Sequence, residues 1–257
     1  MPEVADGWPS SGDEWQFFEG RGDPATASIG GMTSSARRIV DLSHTVADGL
    51  VTYPGLPSPR IRPHLTREAS RASYAPGTEF ALDVIEMIGN TGTYLDSPFH
   101  RYEGGTDLAG LDLETLVDLP AVVVDARAAG RRGIDHDALG GLDVSGAAVL
   151  LSTGWDAHFA TPGYASGAPF LTAAGAEALI AGGAVLVGID SVNIDDVEGG
   201  GERPAHSLLL AAGVHVVEHL RGLEQLPAAG ARFTAVPPKV SGFGTFPVRA
   251  YAVLGGR

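Results

Sequence analysis

The sequence predicts an α/β protein built on a strand-rich mixed sheet with a few helices. Three observations carry that expectation. Short apolar stretches of strand length recur along the body of the chain, only a few segments carry helix punctuation, and 44% of the 257 residues are hydrophobic. A chain of this size can bury roughly three quarters of its unfolded surface, in one large domain or two small ones.

The candidate strands are Arg38–Leu42, Phe80–Ile88, Ala121–Asp125, Ala147–Leu151, Ala184–Ile189, Val214–Glu218, Arg232–Pro237 and Val248–Leu254. Phe80, Leu82, Val84 and Ile88 fall on even positions, so residues 80–88 read as a strand with alternating faces. Helices are expected near Asp112–Val117, Thr172–Ala181 and Ala205–Ala212, with one helical turn at Asp135–Leu139. Thr172 is a natural N-cap and Gly182-Gly183 a natural stop. Pro204 suits the first turn of its helix and Gly213 ends it. Residues 1–35 stand apart. They are rich in Gly, Ser, Pro, Asp and Glu, with scattered Trp8, Trp15, Phe17 and Phe18 and no period. They are expected to be a disordered or loosely docked extension of a single domain over residues 36–257. An alternative is that the Trp-Gln-Phe-Phe patch packs across a partner subunit. Met32 is a candidate alternative start.

The formal net charge of −14 argues against nucleic acid and anionic membrane surfaces as partners. No cysteine is present, which excludes disulfides, zinc–thiolate sites and a cysteine nucleophile. There is no apolar run of about 18 residues and no basic-then-apolar leader pattern. A cytoplasmic enzyme acting on a small-molecule substrate is expected. The chain has no G-x-S-x-G elbow, no H-E-x-x-H and no Walker loop.

The densest chemistry lies in Gly89-Asn90-Thr91-Gly92-Thr93-Tyr94-Leu95-Asp96-Ser97-Pro98-Phe99-His100. Gly89 and Gly92 let the backbone bend after the preceding strand. If the chain stays near-extended, Asn90, Tyr94 and Asp96 share one parity and point to one side. Pro98 ends any ladder, and His100 follows. The alternative is a polar turn with a capping Asp96 and a surface His100. A second group surrounds Val214-His215-Val216-Val217-Glu218-His219. Val214, Val216 and Glu218 share the face that the valines mark as buried. A buried carboxylate needs a partner, and His206 at the head of the preceding helix can reach it. His215 and His219 fall on the other face and are expected to be solvated or packed by loops. Gly199-Gly200-Gly201 reads as a flexible loop edge. Asp190 and Asp195 fit either support of the site or a turn or cap. Tyr53 and Trp155 are candidate aromatic pocket walls and Asn90 a candidate substrate contact, with core packing the alternative for Trp155.

These residues, in this order, resemble the cyclase family, which includes bacterial kynurenine formamidase and isatin hydrolase. The likeness runs from about Arg38 to Arg257. It is carried by Asp41-Leu42-Ser43-His44, Tyr53-Pro54-Gly55, the Gly92 to His100 core, Ser152-Thr153-Gly154-Trp155, Gly188-Ile189-Asp190-Ser191, His206 with Glu218, and Pro247-Val248-Arg249-Ala250. The family motif is His-x-Gly-Thr-His-x-Asp-x-Pro-x-His. The resemblance implies the swivelling β/β/α architecture, assembled as homodimers or homotetramers. It also implies Asp96, His206 and Glu218 as ligands of one divalent metal, Zn or Mn, and His100 as general base. The two leading histidines of the motif are here Asn90 and Tyr94. Amide oxygen and neutral phenol are poor ligands for zinc-like ions, so the usual two-histidine site is absent. Three ligands with an open position still suit a catalytic ion.

Two function classes follow. One is a metal-dependent hydrolase of a small cyclic or aryl amide, formamide or lactone. The other is a metal-free cyclase or dehydratase working through Tyr94, Asp96 and His100, or a small-molecule binding protein.

Overall fold

The computed structural model describes residues 37–127 and 130–255. The expectation for residues 1–35 lies outside the described residues. The described chain runs β1 (Arg38–Asp41), β2 (Arg60–Leu65), α1 (Arg67–Ser70), β3 (Leu82–Glu86), β4 (Tyr94–Asp96), β5 (Leu119–Asp125), β6 (Gly133–Ile134), α2 (His136–Leu139), β7 (Ala148–Ser152), β8 (Phe170–Leu171), α3 (Ala173–Ala181), β9 (Leu186–Ile189), α4 (Pro204–Ala211), β10 (His215–Glu218), β11 (Ala231–Thr234), β12 (Thr245–Pro247) and β13 (Tyr251–Leu254).

Nine strands form one mixed sheet in the order β1-β13-β11-β5-β7-β9-β10-β4-β12. Strands β5, β7, β9 and β10 are parallel neighbours, and the remaining pairings of this sheet are antiparallel. Parallel neighbours need long crossovers, and these supply α2, α3 and α4. Alternate residues of the central strands then enter two apolar layers. Leu150, Leu186 and Val217 join Leu95 and Phe233 on one face. Val149, Leu151, Val187 and Val216 meet Leu179, Leu209 and Leu210 of the helices on the other. Thr172 caps α3 by accepting from the Gly175 amide, as its sequence position predicts.

The sheet is strongly curled, for a reason of chain length. Strands β13 and β12 are seven positions apart in the sheet order. In a flat sheet that is roughly 34 Å at about 4.8 Å per strand. Only residues 248–250 join them, and so short a link spans at most about 14 Å. The two ends of the sheet therefore approach each other. Ser43 Oγ holds the closure, its one proton lying between the carbonyls of Val248 and Ala250 while its oxygen accepts from the Ala250 amide. This is the strand-rich, few-helix α/β architecture expected from the sequence.

Several local expectations change. The helix expected at Asp112–Val117 is only a 3-10 turn, Leu113–Thr115. The chain must turn at Asp118 (φ 52°) to enter β5, which leaves no room for another turn of helix. The strand expected over Val248–Leu254 is shortened to β13, Tyr251–Leu254, because residues 248–250 form the link that closes the sheet from β12. Strand β3 is shorter than residues 80–88, pairs only with β2, and leaves Leu82 and Ile85 about half exposed, at 50% and 54%. Of the two readings for His215 and His219, solvated or packed by loops, the solvated one fails: both are buried, each against a residue of a turn. Strand β10 lies inside the sheet with both faces covered, so parity did not select an outer face. His215 Nε2 lies 2.9 Å from Thr115 Oγ1, and His219 Nδ1 2.9 Å from the Tyr164 hydroxyl. Burial pushes their imidazoles down to about 4 and about 3, so both stay neutral at pH 7.

Candidate active site

The site forms where β4, β10, β12 and the head of α4 meet, at the carboxyl end of β10. Strand β4 pairs with β10 so that Tyr94 faces Glu218 and Asp96 faces Val216; on its other side β4 pairs with β12, bringing Thr245 beside Asp96. Antiparallel register thus gathers residues more than a hundred positions apart onto one face. Helix α4 begins at Pro204, which places His206 in the first turn, above these carboxylates.

His206 is the hub. Its Nε2 lies 3.5 Å from Asp96 Oδ2 and 3.5 Å from Glu218 Oε1. Its Nδ1 lies 2.7 Å from Asp195 Oδ2. Asp195 also accepts the amides of Ala205 and His206, so one carboxylate caps the helix and aims the imidazole. Asp195 was open from sequence between a supporting and a capping role; it does both. Asn193 in turn accepts the Asp195 amide and lies against Glu218.

Glu218 is fully held. Oε1 accepts the Ile194 amide at 2.6 Å and Oε2 the Tyr94 hydroxyl at 2.5 Å. Burial raises the Glu218 carboxyl to about 7, with Asp96 adding to the rise and the His206 charge opposing it. Burial and the charges of Glu218 and Asp96 raise Tyr94 well above 10, so it is a neutral donor and not a phenolate. Asp96 is completely buried. Burial opposes its ionisation, but the hydrogen bond from His206 and the charges of His100 and His206 prevail and hold its carboxyl below the ordinary value. Burial would depress His206, yet Glu218, Asp195 and Asp96 outweigh it and lift the imidazole to about 10. Three buried carboxylates around one imidazole call for a cation.

These residues fit a divalent ion. Asp96 Oδ2 is buried and has no partner nearer than His206 Nε2, 3.5 Å away. With Nδ1 committed to Asp195, a neutral His206 turns its Nε2 lone pair toward Asp96 and Glu218. Among the described residues, the group whose ligand atoms lie within 4.8 Å of one another is Asp96, His100 and His206; Glu218, the third ligand implied from the sequence, stands outside it, 3.5 Å from His206 Nε2. One carboxylate and two imidazoles suit a zinc-like or manganese-like ion.

His100 sits at the rim, with its side chain 35% exposed. Thr245 links it to Asp96: the threonine hydroxyl donates to Asp96 Oδ1 and lies 2.7 Å from His100 Nδ1. A hydroxyl has one proton, and Asp96 takes it, so His100 Nδ1 must donate. That leaves Nε2 as the basic nitrogen. Thr245 was not singled out from sequence, because nothing local marks a lone threonine after Gly244. Gly244 itself is required, since a Cβ there would stand 2.5 Å from the His100 Cα.

The pocket above this floor has a volume of about 440 Å³. It is lined by Asn90, Tyr94, His100, His206 and Glu218, and by Arg101, Asn193, Gly201, Glu202, Arg203 and Ser207 at its walls and mouth. Asn90 therefore stands where the sequence placed it, and the glycine loop does form part of the edge. The two aromatic candidates stand back from it. Tyr53 and Trp155 pack with Phe159, Tyr164 and Val197 in a small apolar cluster. The Trp155 indole donates to the Tyr164 carbonyl at 2.8 Å, and Tyr53 hydrogen-bonds Arg203.

Kynurenine formamidase from Bacillus cytotoxicus is 26% identical over 212 residues, covering 82% of this chain and 95% of that protein. Isatin hydrolase A from Labrenzia aggregata superposes with a TM-score of 0.73 at 26% identity, covering 88% of this chain and 96% of that one. A third structure, described as a potential metal-dependent hydrolase with cyclase activity, gives a TM-score of 0.68 at 26% identity, covering 85% and 98%. The family model for Cyclase ("Putative cyclase") matches residues 40–196. That span holds Asp96 and His100 and ends before His206 and Glu218, which the fold brings to them. By sequence match and by fold, this chain belongs to the cyclase family.

Proposed function

We propose that this chain is a metal-dependent hydrolase of a small cyclic or aryl amide, formamide or lactone. The observation that supports the reading is that Asp96, His100 and His206 can each bring a ligand atom within 4.8 Å of the others beneath an open pocket, with Glu218 Oε1 3.5 Å from His206 Nε2. The relatives named above, a formamidase and an isatin hydrolase, support it. A divalent ion held there, Zn or Mn, supplies Lewis-acid polarisation of a carbonyl and acidifies a water. One ion is the expected content, because Asn90 and Tyr94 stand where the family motif has histidines.

The remaining chemistry belongs to side chains. His100 Nε2 accepts a proton from the attacking water as the C–O bond forms, and returns it to the leaving nitrogen as the C–N bond breaks. The products are a carboxylic acid and an amine; for a lactone they are an acid and an alcohol. Thr245 fixes the His100 tautomer. Tyr94 holds Glu218 in place by its hydroxyl and adds no second base. Asn90 at the wall is placed to hydrogen-bond the substrate. A cytoplasmic homodimer or homotetramer belongs to the same reading.

The test is metal analysis of protein purified without chelator, together with hydrolysis of aryl formamides. About one ion per chain is expected. Glu218→Ala should lower that content and abolish turnover. A wild-type protein free of metal, or unchanged metal in Glu218→Ala, would refute coordination by this group.

A further inference from the structure

We propose that Arg101 and Arg203 form an anion subsite at the pocket mouth, so that the amide substrate carries a carboxylate. The inference rests on the hydrolase reading and names its substrate class. Both arginines line the pocket. Each is rooted beside a reacting group. Arg101 follows His100 directly and caps its 3-10 turn, and Arg203 is the N-cap residue of α4, three positions before His206.

The second observation is their lack of acidic partners. Among the described residues five arginines are ion-paired, Arg71 with Glu79, Arg127 with Asp125, Arg132 with Asp196 and Glu198, Arg232 with Asp118, and Arg249 with Asp41, while others such as Arg38, Arg60 and Arg221 are not; what sets Arg101 and Arg203 apart is that both line the pocket. Arg101 donates only to a hydroxyl, Ser207 Oγ at 3.3 Å, and lies over the Tyr102 ring. Arg203 Nη1 donates to the backbone carbonyls of Glu202, at 2.7 Å, and Asp196, at 3.3 Å. With Tyr53 also bonded to it, Arg203 is anchored by neutral acceptors alone. Among the described residues neither arginine has a carboxylate within ion-pair distance. Two guanidinium groups held over one pocket without counter-ions are a receptor for a planar anion, because the fork of N–H donors matches a carboxylate.

At the mouth itself Arg101 and Arg203 stand against one carboxylate, Glu202. A single negative charge is favoured there; a phosphate dianion would meet Glu202 with its charge in excess. The pocket volume of about 440 Å³ admits one substituted ring. A benzoate bearing an amide or formamide on a neighbouring carbon would place its acid on the arginines and its carbonyl over the floor.

The probes are 2-formamidobenzoate and its neutral counterpart formanilide as substrates, with 2-aminobenzoate and aniline as calorimetric ligands. Wild-type enzyme should prefer the acid by about tenfold or more in kcat/KM, and should bind 2-aminobenzoate at least about tenfold more tightly than aniline. Arg101→Gln and Arg203→Gln should each weaken 2-aminobenzoate about ten- to a hundredfold. Arg203→Lys should recover part of that loss. Arg101 is exposed, so its variant remains informative if Arg203→Gln fails to fold. Equal handling of acid and neutral probes overturns the subsite. So does unchanged 2-aminobenzoate affinity in Arg101→Gln and Arg203→Gln, or in Arg101→Gln alone if Arg203→Gln does not fold, which would place the carboxylate on the floor instead. Failure to hydrolyse either formamide, with arginine-dependent binding intact, overturns the hydrolase reading and leaves the subsite standing.

Discussion

Changing Asp195 to asparagine tests how the site is held together. Asp195 uses both oxygens as acceptors: Oδ1 takes the Ala205 amide at 2.7 Å, and Oδ2 takes the His206 amide at 3.1 Å and faces His206 Nδ1 at 2.7 Å. Asparagine has the same shape but only one acceptor. With its oxygen toward Ala205, its NH₂ group confronts the His206 amide, and the imidazole must offer Nδ1 as an acceptor. Nε2 then carries the proton and points it at Asp96 and Glu218, where a metal ligand needs a lone pair. With the amide flipped, His206 keeps its tautomer and the Ala205 amide confronts NH₂ instead. Either way a buried donor loses its acceptor, at a cost of about 1–3 kcal/mol. In a domain of this size that is a fall in Tm of roughly 2–12 °C. Loss of a carboxylate behind a ligating histidine typically weakens metal binding about 10- to 100-fold. Thermal unfolding of the metal-free protein and calorimetric titration with Zn²⁺ read the two effects separately. Unchanged Tm together with unchanged affinity would refute the orienting role. A lower Tm with unchanged affinity would reduce Asp195 to a helix cap.

Two further predictions follow from packing and burial. Gly244→Ala puts a methyl 2.5 Å from the His100 Cα, so the backbone must shift; we expect a stability loss of about 1–3 kcal/mol and a kcat loss approaching a hundredfold, and full activity would show that His100 need not stay in place. The His215 imidazole is held down to about 4 by burial, against 6.5 when exposed. The unfolded chain therefore takes up the proton first, and this contribution is complete above pH 6.5 and is lost as pH falls from 6.5 toward 4, by up to roughly 3 kcal/mol. Denaturant unfolding between pH 7 and 4 should be less pH-dependent in His215→Phe than in wild type; equal slopes would show that His215 titrates normally in the fold.

The sequence alone determined the strand-rich α/β class, and the residues of the site are local enough to be read from it. Thr172 announces a cap because its hydroxyl needs only the amide three residues on. Tyr94 and Asp96 share a side because strand parity is a property of consecutive residues, whereas Asn90 reaches the same pocket from the bend at 89–93, where Gly92 takes φ 65° and parity no longer applies. Glu218 declares its need for a partner by standing in line with Val214 and Val216. What the sequence left open depends on neighbours that are distant in the chain. Nothing near Thr245 says that β12 will pair with β4 and put its hydroxyl between Asp96 and His100. Nothing near Arg101 says that no carboxylate will come to meet it. Parity divides His215 and His219 from Glu218, but only the order of the sheet decides that both faces of β10 are covered. The curl of that sheet was equally out of reach. It follows from three residues joining strands that a flat sheet would hold far apart, and a link is short only in relation to a strand order that long-range hydrogen bonds set.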